Sequence, residues 1–73
     1  MSKTMSNDDA VELLVAAMLG PDKSESDLVD AVVKVQGAGL PVDDLYDEAR
    51  EESGRQGRYI MSLRELMMRN SVI

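Results

Sequence analysis

The chain has 73 residues, 14 acidic against 8 basic side chains, a formal charge of −6, and no cysteine or histidine. One domain fits this length, and since only about 60% of the unfolded chain's surface can be buried, its core is small. The composition excludes disulfides, thiolate or imidazole metal sites and Ser-His or Cys-His nucleophile pairs. The net negative charge disfavours non-specific binding to nucleic acid.

The amino terminus is polar as far as Asp9, and the apolar run that follows is interrupted by Glu12. This pattern does not predict a secretory signal. No stretch approaches the roughly 20 apolar residues that span a bilayer. We therefore expect a cytoplasmic protein with a single domain over residues 1–73 and flexible ends at 1–6 and 71–73.

Hydrophobic periodicity predicts four amphipathic helices, at residues 7–19, 25–36, 42–53 and 62–70. Ser6 with Asp9 resembles a capping box at the start of the first helix, which Gly20-Pro21 ends. Ser24 with Asp27 repeats the capping pattern for the second helix, and the Gly37-Ala38-Gly39 run ends it.

The third helix begins after Pro41 and is expected to end at Gly54. Because its apolar stripe is thin and its outer face strongly charged, we expect it at the edge of the core. Residues 54–57 are predicted to form a flexible loop. Ser62 and Glu65 form an S-x-x-E capping box for the fourth helix, and residues 70–73 are expected to fray.

These elements predict an all-α fold, a compact bundle of three to four short helices. A strand is the alternative for the β-branched residues 32–35, but without a second convincing strand it cannot form a sheet. With no Phe or Trp and two Tyr, the core is built from Leu, Val, Ala and Met.

Carboxylates spaced i, i+4 on helix faces could hold a hard cation, and Asp43 with Asp47, Asp44 with Glu48, and Asp8 with Glu12 are examples of this spacing. Acids in the first turn also complement the helix dipole, and the sequence has no calcium-loop motif. A solvated acidic face is the better interpretation. We expect no metal, no cofactor and no enzymatic activity.

An acyl carrier protein is also small, acidic and helical, but it attaches its prosthetic arm to Ser in a D-S-L motif. Here Ser26-Asp27 has the reverse order, and no Asp precedes Ser62. The glycines match no phosphate-binding loop. A helix-turn-helix with the fourth helix as reader remains an alternative, weakened by the phosphate repulsion of the acidic helix before it.

The last third of the chain is different, since residues 50–73 contain five Arg and only three acids. Arg and Tyr are enriched at the residues that dominate protein interfaces. We therefore predict a protein-binding site at Arg55, Arg58, Tyr59 and Arg64. A second candidate is the acidic face of the third helix, at Asp44, Asp47 and Glu51. The alternative is that the Arg residues only form ordinary surface ion pairs.

The whole chain, from MSKTMSNDDAVELLVAAMLG to RYIMSLRELMMRNSVI, resembles the small transcription regulators of lytic Xanthomonas bacteriophages that bind host RNA polymerase. The resemblance implies binding near the amino terminus of the β′ subunit, inhibition of σ-dependent initiation, and antitermination together with an elongation factor. Independently of the resemblance, the net negative charge and the lack of a long apolar stretch predict no direct contact with nucleic acid or membrane.

Two other function classes remain open. The first is an anti-CRISPR or another acidic inhibitor that occupies a nucleic-acid-binding groove of a host protein. It should bind with a steep dependence on ionic strength, whereas an interface of Arg, Tyr and apolar anchors should depend on it less. The second is a structural or assembly subunit, which would self-associate as its concentration rises.

Overall fold

The computed structural model describes residues 5–20 and 25–70, which form four α-helices. In chain order they are α1 (Asn7–Met18), α2 (Glu25–Gly37), α3 (Val42–Arg55) and α4 (Leu63–Arg69). The described residues contain no strand, and residues 32–35 lie within α2. The predicted all-α class is therefore confirmed, with helix ends within one or two residues of the predicted positions.

Side-chain hydrogen bonds cap the amino termini of two of the helices. At α1 the Asp9 backbone N–H donates to Ser6 Oγ at 3.1 Å, and the Ser6 N–H donates to Asp9 Oδ2 at 3.5 Å, which completes the predicted capping box. At α4 the Glu65 N–H donates to Ser62 Oγ at 3.2 Å. The predicted cap at Ser24 lies outside the described residues.

The predicted flexible ends, 1–6 and 71–73, also lie largely outside the described residues. Of the two positions that are described, Met5 packs against the core and Ser6 caps α1. The expected fraying from residue 70 is wrong for Asn70. Its side-chain amide donates to the Leu66 carbonyl at 2.9 Å and to Glu25 Oε1 at 3.2 Å, which fastens the end of α4 to α2.

The end of α3 differs from the prediction. Gly54 lies within the helix, which continues to Arg55. Gly57 has a φ of +88°, in the left-handed region, and the next N–H, of Arg58, donates to the Ser53 carbonyl at 2.9 Å. This is the pattern of a glycine-terminated helix. Of the two glycines, the one that adopts the left-handed conformation ends the helix, so the predicted flexible loop 54–57 is mostly helix and turn.

The predicted position of α3 at the edge of the core is also wrong. The helix contacts α1, α2 and α4, mainly α1, and Tyr46 is completely buried on it. The other buried apolar residues are Ala10, Leu14 and Met18 of α1; Leu28, Ala31, Val32 and Val35 of α2; Leu45 and Ala49 of α3; and Leu66 of α4. α3 therefore has a charged outer face and, on its other side, a narrow stripe of buried side chains that belongs to the core.

Across residues 5–20 and 25–70, none of the helices has the length and apolar character needed to cross a membrane.

Candidate protein-binding groove

The connection between α3 and α4 is fixed to α3 by its backbone, and we call residues 58–61 the anchored segment. At its start, the Arg58 N–H donates to the Ser53 carbonyl at 2.9 Å. The buried Ser53 hydroxyl lies 3.1 Å from the Arg50 carbonyl and 3.4 Å from the Arg58 carbonyl. Ser53 therefore holds the segment at the point where it leaves the helix.

Two further hydrogen bonds from α3 hold the rest of the anchored segment. Arg50 Nε donates to the Ile60 carbonyl at 3.1 Å. Tyr46 Oη donates to the Met61 carbonyl at 2.9 Å. Since each bond ends on a backbone carbonyl, the path of the segment along α3 is set by α3 side chains.

Burial raises the pKa of Tyr46 to about 12, an effect that neighbouring acids reinforce and the Arg50 charge opposes. The Tyr46 hydroxyl therefore remains protonated, and able to donate to Met61, well into the alkaline range.

Arg58 joins the segment to a distant part of the chain. Its Nη2 donates to the Gly20 carbonyl, just after α1, at 3.1 Å, and the residue is half-buried. Arg58 was predicted as a binding residue. The structure gives it a role in holding the segment against the end of α1.

Tyr59 is the most exposed large hydrophobic residue of the described chain, with 86% of its surface accessible. Its neighbours differ, since Ile60 and Met61 are partly buried and pack against the core. Because the backbone that carries this exposed aromatic side chain is held at both sides, little backbone ordering is needed when a partner binds.

A groove of about 630 Å³ lies between the outer face of α3 and the anchored segment. Its lining includes Asp47, Arg50 and Glu51 from α3, and Arg58, Tyr59 and Ile60 from the segment. We call it the Tyr59 groove. It unites members of two sites that the sequence predicts as separate: Asp47 and Glu51 of the acidic face, and Arg58 and Tyr59 of the Arg-rich segment.

The other three predicted residues do not line the Tyr59 groove. Arg55 lies on the surface of α3, where its Nη1 is 2.8 Å from Glu52 Oε1. Arg64 is exposed on α4, and Asp44 is exposed in the first turn of α3. Ordinary ion pairs, the alternative for the Arg residues, are present for Arg50 and Arg55 within α3 and for Arg69 with Glu25 of α2.

Sequence reasoning missed the residues that build the groove, namely Tyr46, Arg50 and Ser53. They recur at i, i+4 and i+7 and thus share one side of α3. Tyr, Arg and Ser side chains carry hydrogen-bond donors, and donors that are removed from water need acceptors, which backbone carbonyls can provide. Three such side chains on one side of a helix are the signal that could have identified these residues.

A second surface lies between α1 and α3. It is a depression of about 560 Å³ whose lining includes Val11 and Val15 of α1 and four acidic residues, Asp8, Glu12, Glu48 and Glu52. Within the described residues, no group of three or more potential metal-ligating side chains is arranged to hold an ion. We call this surface the acidic depression.

Comparison with protein-family models, curated proteins and solved structures finds no match to this chain.

Proposed function

We propose that the protein is a bacteriophage regulator that binds bacterial RNA polymerase, inhibits σ-dependent initiation and promotes antitermination. The polymerase, its β′ subunit region and the accompanying elongation factor come from the whole-chain resemblance. The observation that supports a protein-binding role is the exposure of Tyr59 on a backbone that four hydrogen bonds hold against α3.

Stoichiometric binding suits this molecule. A standard interface needs about 800 Å² from each partner, which a domain of 8.0 kDa can provide. Its anchors are commonly aromatic residues set in a ring of less important contacts. Tyr59 is an exposed aromatic side chain that lines a groove, and it can serve as such an anchor. On this proposal the protein acts in the bacterial cytoplasm without catalysis and without contact to nucleic acid or membrane, in keeping with its charge of −6.

The direct test is the affinity of Tyr59→Ala for purified polymerase core and holoenzyme, measured by biolayer interferometry. Because the Tyr59 side chain is exposed, its removal should leave the fold intact. If Tyr59 is an anchor, the dissociation constant should rise roughly 5- to 30-fold, which corresponds to about 1–2 kcal/mol.

The matched control is Val33→Ala, which removes a half-exposed apolar side chain from α2, away from the groove. It should bind as the wild type does. If the wild type shows no binding to core or holoenzyme at micromolar concentration and physiological salt, the polymerase assignment fails.

Charge reversal tests the predicted residues outside the groove. Asp44→Lys and Arg64→Glu place opposite charges on exposed positions of α3 and α4. If polymerase binding weakens with either of these and not with Tyr59→Ala, the interface lies elsewhere. Arg58→Ala is unsuitable for this purpose because it also removes the hydrogen bond to the Gly20 carbonyl.

The acidic depression favours a second candidate function, an anti-CRISPR or another inhibitor that occupies a nucleic-acid-binding groove. Its four acidic lining residues come from two helices that pack together, so they form one negatively charged surface that could imitate phosphates. For this function, Glu12→Lys and Glu48→Lys should abolish binding to the target protein, and affinity should fall steeply with added salt. Tyr59→Ala should then have no effect.

A further inference from the structure

The Tyr59 groove is lined by both acidic and basic side chains. The hydrogen bonds that these side chains already make determine which of them are free to bind a partner. Arg50 Nε is occupied by the Ile60 carbonyl, and Arg58 Nη2 by the Gly20 carbonyl. Both arginines are half-buried. Their guanidinium groups therefore serve mainly to hold the backbone of the anchored segment.

The two carboxylates of the groove are held loosely. Asp47 Oδ1 lies 3.8 Å from Arg50 Nη1, and Glu51 Oε1 lies 3.9 Å from Arg55 Nη2. Strong charge-assisted hydrogen bonds are about 2.7–2.9 Å long. Arg55 makes such a bond with Glu52, at 2.8 Å. Glu51 is consequently left with the weaker contact.

The same two carboxylates are also accessible, with side chains 74% exposed for Asp47 and 77% for Glu51. They lie at i, i+4 on α3 and thus on one face of the helix. The exposed Tyr59 ring lines the same groove from the anchored segment. Two weakly paired carboxylates and an aromatic ring are the groups that recognise a cation, by charge and by the quadrupole of the ring.

From this arrangement we infer that the Tyr59 groove binds a basic side chain, an arginine or lysine presented by the partner protein, against the Tyr59 ring and the Asp47 and Glu51 carboxylates. The inference rests on the proposed function in that the partner is a protein bound at this surface. Arginine fits best, because its planar guanidinium can stack on the ring and bond carboxylates with its fork of N–H groups.

An acidic partner segment is the opposite possibility, since Arg50 and Arg58 also line the groove. It would approach two exposed carboxylates, in a molecule with a charge of −6, to reach guanidinium groups already bonded to backbone. Charge complementarity therefore favours the basic occupant.

The test uses the full-length protein and a blocked Gly-Arg-Gly tripeptide, with its citrulline counterpart as the uncharged control of the same shape. Chemical shift changes of backbone amides are followed by NMR, and the initial slope of each titration is compared. We expect the arginine peptide to shift amides at residues 47, 51, 54 and 57–60. The citrulline peptide should give slopes several-fold smaller.

Four variants separate the recognition of a cation from general attraction to an acidic protein. The double change Asp47→Asn with Glu51→Gln should reduce the slopes at least fivefold. Glu48→Gln, an exposed acid on the same helix outside the groove, should leave them nearly unchanged. Tyr59→Phe keeps the ring and should retain the response, whereas Tyr59→Leu should lose most of it.

The inference is overturned if the two peptides give equal slopes, if the shifts spread over the acids of α1 and α3 alike, or if a carboxylate-bearing Gly-Glu-Gly peptide responds more strongly. Polymerase binding separates this inference from the proposed function. If Tyr59→Ala weakens polymerase binding while Asp47→Asn with Glu51→Gln does not, the cation site is wrong and the function stands. If the arginine peptide binds and polymerase does not, the function fails and the cation site stands.

Discussion

Replacing Tyr46 by Phe removes one hydroxyl and tests how α3 holds the anchored segment. Tyr46 is completely buried, and its hydroxyl donates to the Met61 carbonyl at 2.9 Å. The Phe variant keeps the ring and leaves that carbonyl without its donor. We expect the free energy of unfolding near neutral pH to fall by about 1–2 kcal/mol.

The pH dependence of stability gives the same substitution a sharper signature. The raised pKa of Tyr46, about 12 against the usual 10.0, means that the folded state holds a proton that the unfolded state releases in this interval. Stability therefore falls as the pH rises. The stability linked to the bound proton is fully present below pH 10, and the free energy of unfolding falls by about 3 kcal/mol in all as the pH rises through 12.

The Phe variant lacks this titration, so the stability advantage of the wild type should shrink above pH 10 and disappear near about pH 11. The measurement is urea unfolding followed by circular dichroism at a series of pH values, with linear extrapolation to water. Tyr59→Phe is the matched control, because it removes the hydroxyl of an exposed Tyr and should change stability by less than about 0.5 kcal/mol. A constant offset between wild type and Tyr46→Phe up to pH 12 would refute the reasoning.

Three further predictions concern the helix ends. Gly54→Ala should raise the free energy of unfolding by about 0.5–1 kcal/mol, since a Cβ at this helical position meets no atom within 4 Å. Gly57→Ala should lower the free energy of unfolding by about 1 kcal/mol, because φ is +88° there. Equal effects at the two glycines would contradict the assigned end of α3. Ser6→Ala should cost about 1 kcal/mol through the lost cap of α1, seen as a melting temperature lowered by roughly 4–8 °C. Glu25→Ala removes the acceptor of Arg69 and Asn70 and should cost about 1 kcal/mol, with a smaller loss in high salt; a salt-independent loss would argue against the ion pair.

The fold class and most helix boundaries could be predicted because their signals are local. Ser6 with Asp9 and Ser62 with Glu65 are caps formed within four residues of chain. Gly39, with a φ of +80°, follows the end of α2 at the Gly37-Ala38-Gly39 run, as predicted. The choice between Gly54 and Gly57 could not be made in the same way, since both glycines permit a helix end and only the hydrogen bond that follows Gly57 decides between them.

The candidate site was predictable in part. The path of the anchored segment leaves Tyr59 exposed and brings it to the groove that Asp47 and Glu51 also line. That path depends on contacts between residues far apart in sequence, such as Arg58 with the Gly20 carbonyl, and helical periodicity contains no information about such pairs. The sequence did not predict that α3 lies in the core. The average hydrophobicity of the helix is dominated by its charged outer face and hides the four buried side chains of its inner stripe. Polymerase as the partner stays a prediction.

Some residues of α3 hold the anchored segment and others are exposed in the groove, and this difference determines which substitutions can report on binding. Tyr46, Arg50 and Ser53 hold the anchored segment and contribute to the stability of the fold through the same hydrogen bonds. A change at any of them alters the groove and the free energy of unfolding together, so a loss of affinity there would not identify a contact. Tyr59 makes no side-chain hydrogen bond within the described residues, and Asp47 and Glu51 make only long ion contacts. These three residues can be changed at little cost to the fold, and affinity measurements on them are therefore the ones that can locate the partner.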